Sequence, residues 1–189
     1  MKKLNLKTAL VIVFTISISI TSFGQQKHDH SNMNMNHKKG MVKGEVMQQN
    51  VGKTQFNDAN LNKAYMHYIM INKALVKSQP KKAQMMSKML VDILNNYGKA
   101  SESLVAATKL AESDNLENQR KIFAELTISM EPLFKDNITE GKVYKNFCPM
   151  ANGSGAYWFS DSENIVNPYM GAESAMSSCG SVKETFKSM

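Results

Sequence analysis

Two cysteines and two methionines near the C-terminus carry the chemistry for which this chain is best equipped. Cys148-Pro149-Met150 is followed by Met176-Ser177-Ser178-Cys179, and these hold both cysteines of the 189-residue sequence. Thiolate and thioether are the soft side-chain ligands, so a site built from Cys148, Met150, Met176 and Cys179 would select monovalent copper or silver over hard cations. The spacing permits such a cup. Residues two apart in an extended chain point the same way, which pairs Cys148 with Met150, and a three-residue gap in a helical turn aligns Met176 with Cys179.

The same cysteines have a second use. In an oxidising compartment Cys148 and Cys179 can form a disulfide, with Met150 and Met176 packed against aromatic rings. Closing a loop of about 30 residues would contribute roughly 3–4 kcal/mol in the chain-entropy model. A reversible pair that holds metal when reduced satisfies both alternatives, and the residues alone leave both open.

A second set of ligands lies near the N-terminus, where His28, His30, Met33, Met35 and His37 alternate with polar residues and Met41 follows. Imidazole suits divalent copper and thioether suits monovalent copper, so such a tail could follow the metal through a redox change. The opposing account is a solvated linker with incidental histidines. A start at Gln26 would add an amine, two amides and the His28 imidazole as a square-planar site for divalent copper or nickel. His67, the remaining histidine, sits between Ala64 and Ile71 on the edge of an apolar helical face, either as an extra ligand or half buried. Met66 and Met70, and Met85, Met86 and Met89, are expected as core fillers, the usual role of flexible thioethers.

These residues need elements to position them. Residues 25–55 form a polar tract without core-forming periodicity, expected to be disordered without a ligand. Leu61, Ala64, Tyr68, Ile71 and Leu75 then recur at helical spacing, which predicts a helix from about Asn57 to Lys77, capped by Asn57 or Asp58. A second is predicted from Pro80 to about Glu112, bent at Gly98, and a third from Asp114 as N-cap, with Glu117 in a capping box, to about Thr139. Short links make the three antiparallel neighbours. From about residue 142 helical spacing gives way to Gly, Pro, Asn and Ser among Tyr144, Phe147, Tyr157, Trp158, Phe159 and Tyr169. The fold expected is mainly α: an antiparallel bundle of three long helices over residues 56–189, carrying an irregular Cys/Met/aromatic-rich C-terminal flap. Residues 182–186 are expected to form a final strand or helical turn.

The ends and the composition bound what this fold is for. Lys2, Lys3 and Lys7 precede the apolar run Ala9 to Ile20, and Ser22-Phe23-Gly24 offers small residues for cleavage, so residues 1–24 read as a secretory signal peptide. About 12 apolar residues fall short of the roughly 20 that cross a bilayer, and no membrane span is expected once the signal is removed. About 165 remaining residues suit one domain. The formal charge of +7 comes from scattered lysines without a basic stripe, which argues against nucleic acid. Glu117 and Arg120 suit capping and surface or inter-helix pairing. A Cys148 nucleophile with His67 as base would need an orienting carboxylate to which nothing points, so no enzyme is expected.

The stretch Val143-Tyr144, Cys148-Pro149-Met150-Ala151-Asn152, Gly155-Ala156-Tyr157-Trp158, Asn167-Pro168-Tyr169, Met176 and Cys179-Gly180 resembles the signature of the domain of unknown function family 3347. Glu117-Asn118-Gln119-Arg120-Lys121-Ile122-Phe123 is similar to that family's helical motif, and the resemblance spans about Asn57 to Phe186. The family occurs in exported bacterial proteins and is fused to periplasmic adaptor subunits of copper and silver efflux pumps. The resemblance therefore implies a periplasmic heavy-metal role. Ser177-Ser178 depart from it, standing where relatives often carry bulkier side chains, which implies a more solvated sulfur.

Together these readings predict an exported, periplasmic copper- or silver-binding protein, with monovalent copper favoured, acting as scavenger, metallochaperone or efflux accessory. The competing expectation is a disulfide-stapled module that docks on an efflux adaptor or other envelope protein without binding metal.

Overall fold

The computed structural model describes residues 54–188. Asp58 opens the first helix by accepting the amides of Asn60 (2.6 Å) and Leu61 (3.3 Å), two of the donors a helix start leaves without intrahelical partners. Helix α1 then runs Ala59–Val76. After a three-residue link Pro80 occupies the first turn of α2 (Pro80–Tyr97), where its missing N–H costs no helical bond.

The long second helix predicted to reach Glu112 is two helices. Gly98 takes a left-handed conformation (φ 72°) and donates its amide to Leu94 O at 3.0 Å, closing α2. A new helix, α3, spans Ser101–Glu112, and α4 spans Leu116–Lys135. The cap of α4 is Asn115, not Asp114: its side chain accepts the amide of Asn118 at 2.9 Å. Glu117 takes no part in a capping box and instead pairs with Lys121 at 2.7 Å, one turn on along the exposed face. The architecture is mainly α, with four α-helices among the described residues rather than three.

Strands frame the helices. Gln55–Phe56 (β1) pairs antiparallel with Ile138–Glu140 (β2), joining the start of α1 to the end of α4. Gln55, assigned from the sequence to the polar tail, therefore belongs to the folded domain. Lys142–Cys148 (β3) is the centre of a second antiparallel sheet, between Ala156–Ser160 (β4) and Ser181–Lys187 (β5). The flap is thus built on a sheet, not irregular throughout, and the last segment is a strand rather than a helical turn. The β3–β5 register shifts between Lys145 and Asn146. That bulge breaks the two-residue alternation by which a strand is recognised in sequence.

Two adjacent residues of β4 bury opposite faces of this sheet, as successive strand residues must. The ring of Phe159 lies 5.5 Å from Tyr68 of α1, 5.7 Å from Phe134 of α4 and 5.7 Å from Phe186 of β5. Trp158 meets Tyr169 edge-on at 6.1 Å, in the segment between β4 and β5. Both side chains have no exposed surface, and burials of this size contribute roughly 1.5–3 kcal/mol each. The sheet is therefore sandwiched between the helices and the 161–180 segment. Among the described residues no helix is long and apolar enough to cross a membrane.

Candidate functional site

The sulfur-bearing region is positioned by β3 and the segment that returns to β5. Cys148 ends β3 fully buried, and Cys179, half-buried, lies just before Ser181 opens β5. The two are joined as a disulfide, with Cα atoms 5.7 Å apart and a sequence separation of 31. While that bond is intact neither sulfur is a thiolate ligand.

Hydrogen bonds fix the returning segment over Trp158. Asn167 donates through Nδ2 to Cys179 O at 2.8 Å, and its Oδ1 accepts the Tyr169 amide at 2.8 Å. The Tyr169 hydroxyl donates to Tyr157 O on β4. Arg120 reaches from α4, donating through Nε to Pro168 O at 2.8 Å and through an amino group to Leu75 O at 3.2 Å. The Ala172 amide donates to Val76 O at 2.7 Å, tying the segment to the end of α1. Gly180 has φ 133°, and a Cβ there would stand 2.7 Å from Trp158 Cη2 and 3.0 Å from Phe147 O. Only glycine lets the chain pass the indole at that point.

The thioethers flanking the disulfide do not share its burial. The chain turns at Pro149-Met150, so Met150 leaves the line of β3 and is 60% exposed. The extended geometry that would align it with Cys148 is absent because the strand ends at Cys148. Met176 is 37% exposed, and its carbonyl accepts the Cys179 amide at 2.9 Å, the three-residue turn expected from their spacing.

His67 lies on α1 and is 8% exposed, with Nδ1 buried and without a hydrogen-bond partner among the described residues. Burial pulls its pKa below the ordinary imidazole value, which keeps the ring neutral. His28, His30, Met33, Met35 and His37 lie outside the described residues, as do the expected signal peptide and Met41. Among the described residues no three His, Cys, Asp or Glu side chains stand close enough to hold one ion.

Sequence reasoning missed two features. Met85 and Met89 are 52% and 48% exposed, not core fillers, whereas Met86 is buried. The buried line of α2 is Ala83, Ser87, Leu90 and Leu94, with the Ser87 hydroxyl satisfied by Ala83 O at 2.8 Å. A serine on that line hid the true phase of the helix. Arg120 pairs between helices, as expected, through Leu75 O on α1, but it also anchors the flap through Pro168 O, a role only visible once Pro168 is beside it.

A family model described as "Protein of unknown function (DUF3347)" matches residues 64–141. The matched stretch takes in most of α1, all of α2 to α4 and β2, and ends before β3, so both cysteines lie beyond it. No curated protein and no solved structure matches the chain.

Proposed function

From residues 64–141, which belong to the DUF3347 family of unknown function, we propose that the chain is an exported protein of the periplasm that binds copper or silver, as a scavenger, metallochaperone or efflux accessory. One observation carries this reading: soft donors stand exposed where packing would bury them. Met85, Met89, Met150 and Met176 are among the exposed large apolar side chains of the folded domain, and His28, His30, Met33, Met35 and His37 alternate in the N-terminal stretch. With both cysteines joined to each other, neutral thioethers and imidazoles are the ligands on offer, a set suited to monovalent copper and silver. The role is one of binding and passing on metal, with no chemical turnover.

The Cys148–Cys179 bond favours a second reading. A stapled flap that buries Trp158 under Tyr169 is also a rigid platform for docking on an efflux adaptor or other envelope protein without metal. Anaerobic loading with monovalent copper separates the two. We expect at least one tightly held ion per mature chain, and a lower stoichiometry after deletion of residues 25–41. Binding no tighter than that of free methionine and histidine would overturn the metal reading and leave the docking module. The Cys148→Ser, Cys179→Ser double variant reports what the cysteines add: loss of one ion would assign them a ligand role on reduction.

A further inference from the structure

We propose that His67, Met70, Met86 and Met89 form a binding site for one soft monovalent cation, Cu⁺ or Ag⁺, on the outer flank of the α1–α2 hairpin. The site deepens the metal-binding reading, on which it rests, by giving the folded domain a seat for the ion that uses neither cysteine.

The four residues are set together by the symmetry of the hairpin. Lys77-Ser78-Gln79 is the whole link between α1 and α2, so the helices run antiparallel. Met70 lies six residues before Val76, where α1 ends, and Met86 six after Pro80, where α2 begins; His67 and Met89 lie nine from the same ends. Each pair therefore occupies one level of the hairpin, and the two levels are about 4.5 Å apart. Their angular positions match as well. His67 stands four residues and Met70 one residue before Ile71; Met86 stands four and Met89 one before Leu90, and both Ile71 and Leu90 are wholly buried. Two antiparallel helices are related by a two-fold axis normal to the plane of their axes, so equal levels and equal offsets fall on the same flank. The opposite flank of α1 is occupied: Tyr68 stacks on Phe123 of α4 at 4.9 Å and Asn72 donates to Phe159 O at 3.3 Å.

Each level then pairs an inner side chain with an outer one. His67 and Met86 are both 8% exposed, while Met89 is 48% exposed and Met70 half-buried. The inner histidine carries a ring nitrogen, Nδ1, that is buried and lacks a partner among the described residues. A buried polar atom without a partner is costly and calls for an explanation. A cation bound by Nδ1 and the thioethers supplies the missing bond. Burial disfavours the charged imidazolium, and a neutral imidazole offers one ring nitrogen as a metal ligand. Three uncharged thioethers beside one imidazole select a soft, singly charged ion, since thioether sulfur is a soft donor and hard cations take oxygen ligands.

The test uses the full mature chain and Ag⁺, which is redox-inert and leaves the disulfide intact, read by NMR of methionine methyl groups and histidine rings. We expect the Met70, Met86 and Met89 methyls and the His67 ring to shift together and saturate with one ion. Met70→Leu with Met89→Leu preserves volume and apolar character, and should weaken that site at least tenfold while shifts at His28, His30 and His37 persist. His67→Gln should have a similar effect. Shifts confined to the N-terminal histidines and methionines would overturn this site but leave the metal-binding reading standing. No shift at any residue would overturn both, and an unchanged affinity in the Met70→Leu, Met89→Leu variant would refute the quartet.

Discussion

Arg120 Nε donates to the carbonyl of Pro168 at 2.8 Å, a bond from the first half of α4 to a segment 48 residues further along the chain. The same guanidinium reaches Leu75 O near the end of α1, so one half-buried side chain joins two helices to the flap. Its planar donor fork satisfies carbonyls in different directions, which a lysine ammonium on a flexible stem cannot reproduce in place. Arg120→Met should cost about 2–3 kcal/mol, the value of hydrogen bonds to a charged group. Arg120→Lys should recover only part of it. Urea denaturation gives the size, and amide exchange over residues 165–175 tells whether the flap loosens first. Equal stability of all three proteins would mean that Pro168 is held by other contacts.

The Tyr68 hydroxyl lies 2.6 Å from Thr127 Oγ1 and accepts the Phe159 amide at 3.1 Å. Thr127 donates onward to Phe123 O at 2.9 Å, so the proton between the two hydroxyls belongs to Tyr68. Tyr68→Phe strands the Phe159 N–H in the core and should cost about 1–3 kcal/mol. It should also change the alkaline behaviour. Burial raises the Tyr68 pKa, as it does for Tyr65 and Tyr169, above the ordinary value near 10. The folded state thus keeps protons that the unfolded chain releases. Stability should be level below about pH 10 and fall as pH rises beyond it. In urea titrations from about pH 8 to 11 the Tyr68→Phe protein should fall less steeply than wild type, and parallel slopes would exclude Tyr68 from the effect.

How far the fold was legible in sequence follows from where its signals are local. The α1 face from Leu61 to Leu75, the Asp58 cap and Pro80 at the start of α2 are set within a turn or two of chain, and each stands where the spacing put it. The break at Gly98 was less legible because apolar spacing continues across it through Leu104 and Ala107, while a link of three residues, opened by the left-handed backbone of Gly98, separates α2 from α3. The sheet was hidden for a different reason: β3 bears a bulge, and its partner strands lie beyond segments rich in Ser, Asn and Gly. At the candidate site proximity of Cys148 and Cys179 was foreseen. Disulfide and metal cup demand the same proximity, so spacing could not choose between them. The exposure of Met85 and Met89 depends on a buried serine on α2, which no periodicity of apolar residues reveals.

Gly180→Ala should damage the flap through a single methyl group. The φ of 133° is unfavourable for any L side chain, and the new Cβ would press on Trp158 Cη2 and the Phe147 carbonyl. The backbone oxygen belongs to the central strand and cannot move aside. A loss of about 2–3 kcal/mol is expected, with strain and displacement combined. Trp158 is the chain's one tryptophan, so its fluorescence and near-UV dichroism report the displacement directly. Gly153→Ala is the control: φ is also positive there, at 79°, but the space around it is open, and about 1 kcal/mol should be lost with the tryptophan signal unchanged.

Reduction of the Cys148–Cys179 bond should loosen the flap without unfolding the helices. The link closes 31 residues of chain, and its loss releases roughly 3–4 kcal/mol of constraint on the unfolded state. Asn167, which holds Cys179 O, loses a fixed partner. The Arg120–Pro168 bond and the Ala172–Val76 bond do not involve sulfur and keep the segment near the end of α1. Amides of residues 161–180 should therefore exchange faster after reduction while those of α1 and α4 keep their protection, and the urea midpoint should fall by the stated energy. Global loss of protection would make the disulfide a condition of folding rather than a clasp on the flap. If the segment loosens alone, Cys148 and Cys179 become reachable thiols beside the exposed Met150 and Met176. Monovalent copper should then bind the reduced protein with one more equivalent than the oxidised one, and equal stoichiometry in both states would confine the cysteines to holding the flap.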